Sequence, residues 1–192
     1  MNDGSTDSSL DIIKELDVKY INHLVNLGAG GALQSGFEFI KKLDNIDALI
    51  TFDADDQHAV EDAIAFAEEI TKCNEDIIFG SRFLEHSKNI PFFKRLVLSI
   101  VTFVTNHICN VSLTDAHNGL VAYKTRCLSE ISINIDGFGY ASQIVSNVSN
   151  KSIKYKEMPT NISYTKYSMN KGQKISNGFL IIEDLIKNKF SK

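Results

Sequence analysis

Apolar positions along the first part of the chain follow two alternating rhythms. Short β-rich runs at 18–22, 48–52 and 77–79 are interleaved with longer stretches of helical spacing at 30–43 and 59–72. Strand-like runs alternating with amphipathic helices predict an α/β domain built on a mostly parallel sheet with flanking helices. The segment before the first of these runs carries helical spacing at Leu10, Ile13 and Leu16, and it follows a polar NDGSTD stretch at 2–7 that reads as a loop leaving a strand. The sheet is therefore expected to lack its amino-terminal strand. Residues 92–108 are apolar except where Lys94, Arg95, Thr102, Thr105 and Asn106 interrupt them. That run falls short of roughly 20 apolar residues for a membrane span, which leaves a helix packed on the sheet or an amphipathic helix at a membrane surface. A last helical pattern at 175–186 is expected to dock on the core.

A chain of 192 residues with 43% hydrophobic content sustains one core, so residues 1–192 are read as a single domain. Cys73, Cys109 and Cys127 are far apart without metal-ligand spacing, which argues against a disulfide framework or a structural zinc. The polar opening MNDGSTDSS is unlike a signal peptide, so the cytoplasmic side is the expected compartment. The net charge of −4 conceals a basic end: residues 151–192 carry nine lysines against Glu157, Glu183 and Asp184. Such an end suits substrate phosphates, anionic lipid head groups or plain solvation. No feature points to nucleic acid.

In parallel α/β sheets ligands bind beyond the carboxyl ends of the strands. There the run ALITF at 48–52 passes into Asp53, Ala54, Asp55, Asp56 and Gln57. Asp53 and Asp55, two apart on extended backbone, point the same way, and Gln57 adds a neutral oxygen. Hard oxygen ligands of this kind suit Mg²⁺ or Mn²⁺ completed by substrate phosphates; an ordinary acidic turn is the alternative. Gly28, Gly30 and Gly31 open a helix whose N–H groups can approach phosphate, or simply form a turn. Arg82, just beyond the run at 77–79, is a candidate phosphate clamp, and Asp115 a candidate proton acceptor. Each has a plain alternative as a salt bridge or a turn cap.

Taken in order, NDGSTD, NLGAGGALQSGF, FDADDQH, GSRF, TDAHNGL and YSMNKGQ resemble glycosyltransferase family 2, the inverting enzymes of the GT-A (Rossmann-like) fold, and within it the bacterial relatives of dolichyl-phosphate mannose synthase, including polyprenyl-phosphate and surface-polysaccharide glycosyltransferases. The resemblance spans residues 2–188. It implies that Asp3 contacts the nucleotide, that Asp53 and Asp55 with Gln57 hold the metal and donor diphosphate, and that Arg82 meets phosphate. Tyr167, Ser168 and Lys171 would then belong to a late loop closing over the site. The implied activity is transfer of a sugar from a UDP- or GDP-linked donor to a polyprenyl phosphate or a glycan in cell-envelope polysaccharide synthesis, with peripheral contact at the inner face of the cytoplasmic membrane. The family's first strand and its Pro-x-Tyr-Asn-Glu segment have no counterpart, and Asn2 stands where the family has Asp. A noncatalytic remnant or a nucleotide-sugar-binding subunit is the competing reading. A nucleotidyltransferase ranks below both, for want of a glycine-rich phosphate loop at the amino terminus. A haloacid-dehalogenase-like phosphatase is disfavoured by Gln57 standing where that pattern expects Thr or Val.

Overall fold

The computed structural model describes residues 1–84, 90–134 and 139–163. Tyr167, Ser168, Lys171 and the helical pattern at 175–186 lie outside the described residues. The elements run β1 (Asn2–Asp3), α1 (Ser9–Glu15), β2 (Asn22–His23), α2 (Gly28–Ile40), β3 (Ala48–Thr51), α3 (Val60–Lys72), β4 (Ile77–Ser81), α4 (Phe92–Cys109), β5 (Val121–Lys124), a 3₁₀ turn (Thr125–Glu130), α5 (Tyr140–Asn150) and β6 (Tyr155–Pro159). The α/β alternation expected from the periodicity is present. The expected strand at 18–22 shrinks to β2, and Val18 and Tyr20 are exposed.

The strands form two separate sheets. β1 and β2 pair in parallel, Asn2 opposite Asn22 and Asp3 opposite His23. The larger sheet has the order β3-β5-β4-β6. Here β4 and β6 are parallel, whereas β5 is antiparallel to both neighbours. The larger sheet is thus mixed, with β4–β6 its parallel pair, and the smaller sheet is the parallel pair β1–β2. The reversal follows from where the chain re-enters: the Gly80 N–H donates to the Leu120 carbonyl at 2.9 Å. The chain therefore returns to the sheet at the end where β4 leaves it, and has only one direction in which to run.

All five residues of β4 are buried, as expected for a central strand covered on both faces. Alternation then sorts side chains between two cores. Ile77, Phe79, Val121 and Tyr123 join Phe37 of α2, Val101 of α4 and Val145 of α5 on one face. Ile78, Leu120 and Ala122 join Phe66 and Ile70 of α3 on the other. Phe66 and Ile70 are one helical turn apart, and α3 is further supported by Glu61 and Asp62 in its first turn and Lys72 in its last, each favourable to the helix dipole.

α4 divides along its length. Leu98, Val101, Thr102, Thr105 and Cys109 are buried, while Phe92, Phe93, Leu96, Ile100 and Phe103 are exposed, Phe93 and Phe103 at 70% and 72%. Both readings of this segment thus find a face: one side packs on the core, the other is an open apolar stripe. Contrary to the expectation that the run is too short, the 18-residue helix is long and apolar enough to cross a membrane by length and composition, a test that core helices of soluble proteins also pass.

Candidate active site

The turn after β3 carries the acidic cluster. Asp55 accepts hydrogen bonds from the Gln57 backbone N–H at 3.2 Å and its side-chain amide at 2.6 Å. Gln57 thus orients Asp55. Asp53 lies against the turn before β5: a Cβ added at Gly119 would come within 2.5 Å of Asp53 Oδ2 and 3.3 Å of His58 Nε2. Only glycine admits the carboxylate there. Partial desolvation raises the Asp53 pKa above its ordinary value, and the neighbouring Asp55 charge adds to this, against the pull of His58 and Arg82. Desolvation lowers the His58 pKa, opposed by Asp53 and Asp55. Two adjacent carboxylates repelling one another are a donor set that a divalent cation would relieve. Among the described residues no group of three or more His, Cys, Asp or Glu is placed to hold a metal; Asp53 and Asp55 fit one only as a pair whose remaining ligands come from substrate and water.

Arg82 and Asp115 meet each other. Arg82 Nε donates to Asp115 Oδ2 at 2.6 Å, Nη2 to Oδ1 at 2.7 Å, and the Arg82 backbone N–H to Oδ2 at 3.1 Å. Nη2 also donates to the His117 carbonyl at 2.9 Å. Both side chains are almost wholly buried, at 8% and 0% exposure. Burial opposes the Asp115 charge, but Arg82 prevails and holds its pKa below the usual carboxylate range. A phosphate clamp and a proton acceptor both require a group that faces the ligand. In this structure the two side chains bind each other in a buried bidentate pair, which is the salt-bridge alternative to a phosphate clamp and a proton acceptor.

Sequence patterns did not single out the groups that hold this turn. Glu157 on β6 accepts the Thr114 backbone N–H at 2.8 Å, its hydroxyl at 2.9 Å and the Asp115 N–H at 3.1 Å. Ser81 and Thr114 hydroxyls lie 2.5 Å apart. His117 is half-buried with its Nδ1 enclosed, Nε2 lying 3.3 Å from the hydroxyls of Thr105 and Ser142, and desolvation lowers its pKa to about 4, with Asp115 opposing and Arg82 assisting. Lys94, in the first turn of α4, interacts electrostatically with Arg82 and Asp55. Burial and Arg82 lower its pKa while Asp55 works against them. In sequence it reads as one interruption of an apolar run.

The smaller sheet presents Asp3. Its Oδ1 lies 2.7 Å from His23 Nδ1 and accepts the Leu27 N–H at 2.9 Å. Partial burial works against the charge, but the Leu27 and His23 bonds prevail and keep the pKa below its usual value. Gly28 stands at φ +81°, a conformation open to glycine, and its N–H donates to Asn26 Oδ1 at 3.1 Å. Gly30 is buried in the first turn of α2. The α2 entrance thus has Asp3 beside its N–H groups, a favourable position for a carboxylate.

The family described as glycosyl transferase family 2 matches residues 1–132. An uncharacterized protein of Methanocaldococcus jannaschii is 31% identical over 98% of this chain and 79% of its own length. The UDP-N-acetylglucosamine–dolichyl-phosphate N-acetylglucosaminyltransferase of Methanococcus voltae is 29% identical over the whole chain and 84% of its own length. Crystal structures of glucosyl-3-phosphoglycerate synthase from Mycobacterium tuberculosis share the fold at 12% identity. The complex with phosphoglyceric acid gives a TM-score of 0.57 over 97% of this chain, and the complex with Mn²⁺, UDP-glucose and phosphoglyceric acid 0.59 over 98%. The chain spans 66% and 65% of the length of those two structures. By its sequence over most of its length, and by a fold in which β3 ends in paired carboxylates, the chain belongs to glycosyltransferase family 2 and has the GT-A fold.

Proposed function

We propose that this chain transfers a sugar from a UDP- or GDP-linked donor to a polyprenyl phosphate, with inversion at the anomeric carbon. The observation that carries the reading is the Asp53–Asp55 pair at the carboxyl end of β3, with Gly119 giving Asp53 its space and Gln57 orienting Asp55. Those carboxylates would hold a Mg²⁺ or Mn²⁺ ion, which supplies Lewis-acid neutralisation of the donor diphosphate. Support for the metal comes from the fold relatives crystallised with Mn²⁺ and UDP-glucose.

Burial of Asp115 supports a phosphate acceptor. A sugar hydroxyl must lose its proton as it attacks, and Asp115 is enclosed and bonded to Arg82. A polyprenyl phosphate oxygen is already anionic at neutral pH and requires no base. In the proposed step that oxygen forms a bond to the anomeric carbon from the face opposite the diphosphate. The glycosidic C–O bond breaks and its electron pair leaves with the diphosphate. Lys94 supplies the cation that complements the developing charge, and Arg82 with Asp115 and Glu157 keeps the neighbouring turn rigid. Asp3, Gly28 and Gly30 form the proposed wall for the rest of the nucleotide, and Tyr167, Ser168 and Lys171 the proposed late loop. The apolar stripe of α4 supports peripheral seating on the membrane that holds the acceptor. The Methanococcus voltae relative, named for action on dolichyl phosphate, supports the acceptor class.

The test is incubation of the full chain with UDP-N-acetylglucosamine, UDP-glucose or GDP-mannose, each with Mn²⁺ and a short polyprenyl phosphate. The expected result is acceptor-dependent release of the nucleoside diphosphate, with the product's anomeric configuration inverted by NMR. Asp55→Ala should abolish turnover while the circular dichroism spectrum stays unchanged. Metal-dependent nucleotide binding without transfer to any acceptor would favour a nucleotide-sugar-binding subunit instead.

A further inference from the structure

Where β6 ends, the chain is tied down residue by residue. Thr160 donates its backbone N–H to the Ser81 carbonyl at the end of β4, at 2.9 Å. Asn161 donates its N–H to Asp62 Oδ2, in the first turn of α3, at 2.7 Å. Ile162 forms an antiparallel bridge with His58, and Ser163 donates its N–H to the Gln57 carbonyl at 2.9 Å. Residues 160–163 are therefore a strap that joins β4, α3 and the acidic turn after β3. Three of its ties are backbone to backbone; the half-buried Asp62 makes the fourth with a side chain.

We infer that Asp62 is a positioning residue for the cation pair: by anchoring the strap it fixes the backbone of Gln57 and His58, and through Gln57 the carboxylate of Asp55. The turn requires such a hold. Asp56 stands at φ +61°, a left-handed conformation that is costly for a residue other than glycine and persists where the surroundings impose it. Asp55 and Gln57, on either side of it, are the residues whose side chains bond each other. While the strap holds the Gln57 carbonyl, the Gln57 amide stays on Asp55; without it the turn relaxes and the carboxylate rotates. His58, at the bridge, neighbours Asp53 and Gly119, so the strap borders both carboxylates. A pair that offers a cation two protein ligands binds well only when those ligands are ordered beforehand. Asp62 has this role only if Asp53 and Asp55 hold the cation, so it rests on the function proposed above. Its charge also favours the α3 dipole, and the experiment must separate that charge from the hydrogen bond.

The experiment is titration of the full chain with Mn²⁺ in the presence of UDP and, separately, GDP, with free Mn²⁺ read by electron paramagnetic resonance. Asp62→Ala removes the acceptor and is expected to weaken Mn²⁺ binding about tenfold or more, the scale of a charge-assisted hydrogen bond. Ser163→Pro removes the N–H given to Gln57 without changing any charge, and the same loss is expected. The two variants cut the strap at different points, so either one, folded by circular dichroism, decides. Asp62→Asn keeps an acceptor oxygen for Asn161 and should stay within about threefold of the native chain, as should Glu61→Gln, which loses only charge at the helix end. In the metal-free chain the NMR signals of the Gln57 side-chain amide should move toward those of an unbonded amide in both cut chains and stay in place in Asp62→Asn. Native Mn²⁺ affinity in the cut chains, or lost affinity with unmoved Gln57 signals, overturns the role of Asp62 and leaves the proposed function standing. Equal losses in Asp62→Ala and Asp62→Asn would assign the effect to charge and overturn it too. Failure of the native chain to bind Mn²⁺ with either nucleotide overturns both.

Discussion

At the residue scale the site depends on what its neighbours leave room for. Gly119→Ala puts a methyl 2.5 Å from Asp53 Oδ2, so the carboxylate must swing aside by roughly an ångström. Displacements of that size in a reacting geometry cost about 100-fold. Transfer, or metal-dependent nucleotide affinity read by calorimetry, should fall by that order with the fold intact; an unchanged value would remove Asp53 from the site. His117 makes a second prediction. Its pKa falls from 6.5 unfolded to about 4 folded, so below pH 6.5 the unfolded chain takes up a proton that the native one refuses. The stabilisation is complete above pH 6.5 and is lost as pH drops toward 4, by about 3 kcal/mol in all. Asp115 and Arg82 are the charges facing it, one on each side of the balance. Urea midpoints should therefore decline more steeply between pH 7 and 4.5 for the native chain than for His117→Asn; parallel slopes would refute the assignment. Of these residues, the placement of Asp53 and Asp55 just after β3 is legible in sequence because an apolar run passes directly into spaced carboxylates, a pattern that an acidic turn shares. The Arg82–Asp115 pairing is not, since 33 positions separate the partners and only the fold brings them together.

At the scale of elements, α4 is the case where periodicity alone left two answers open. Its buried positions 98, 101, 102, 105 and 109 and exposed positions 92, 93, 96, 100 and 103 both follow helical spacing, so the pattern reports an apolar helix without saying which side meets the core. The proposed membrane seating is testable because the two sides separate cleanly. Phe93→Gln with Phe103→Gln removes two side chains that are at least 70% exposed, so stability should stay within about 1 kcal/mol. Binding to vesicles that contain anionic lipid should fall about tenfold or more by cosedimentation, given the apolar area lost from the stripe. Retention of full vesicle binding would exclude the stripe as the contact. The larger strands were legible for a related reason: β3 and β4 are short apolar runs ending in polar clusters. The direction of β5 was not, because it is fixed by the contact of Gly80 with Leu120 rather than by any local pattern.

At the scale of the whole molecule, the division into two sheets predicts unequal stability. The larger sheet has β4 wholly buried between two partners, and its backbone bonds open only when the core does. The smaller sheet rests on two pairs of residues, with Leu24 and Val25 beside it at 96% and 65% exposure. Backbone amides open locally at a free energy set by the apolar contacts around them, so Asp3 and His23 should exchange by local opening while Ile77–Phe79 exchange only with global unfolding. Native-state exchange across a urea series distinguishes the two: the β4 amides should track the global transition, and those of β1 and β2 should stay nearly independent of urea at low concentrations. Coincident behaviour would mean that the sheets form one cooperative unit despite being separate. The consequence reaches the site, because Asp3 belongs to the weaker unit and Asp53 to the stronger. Any nucleotide bridging them would be expected to bear the cost of ordering the first against the second, and its binding should slow exchange at Asp3 and His23 far more than at β4.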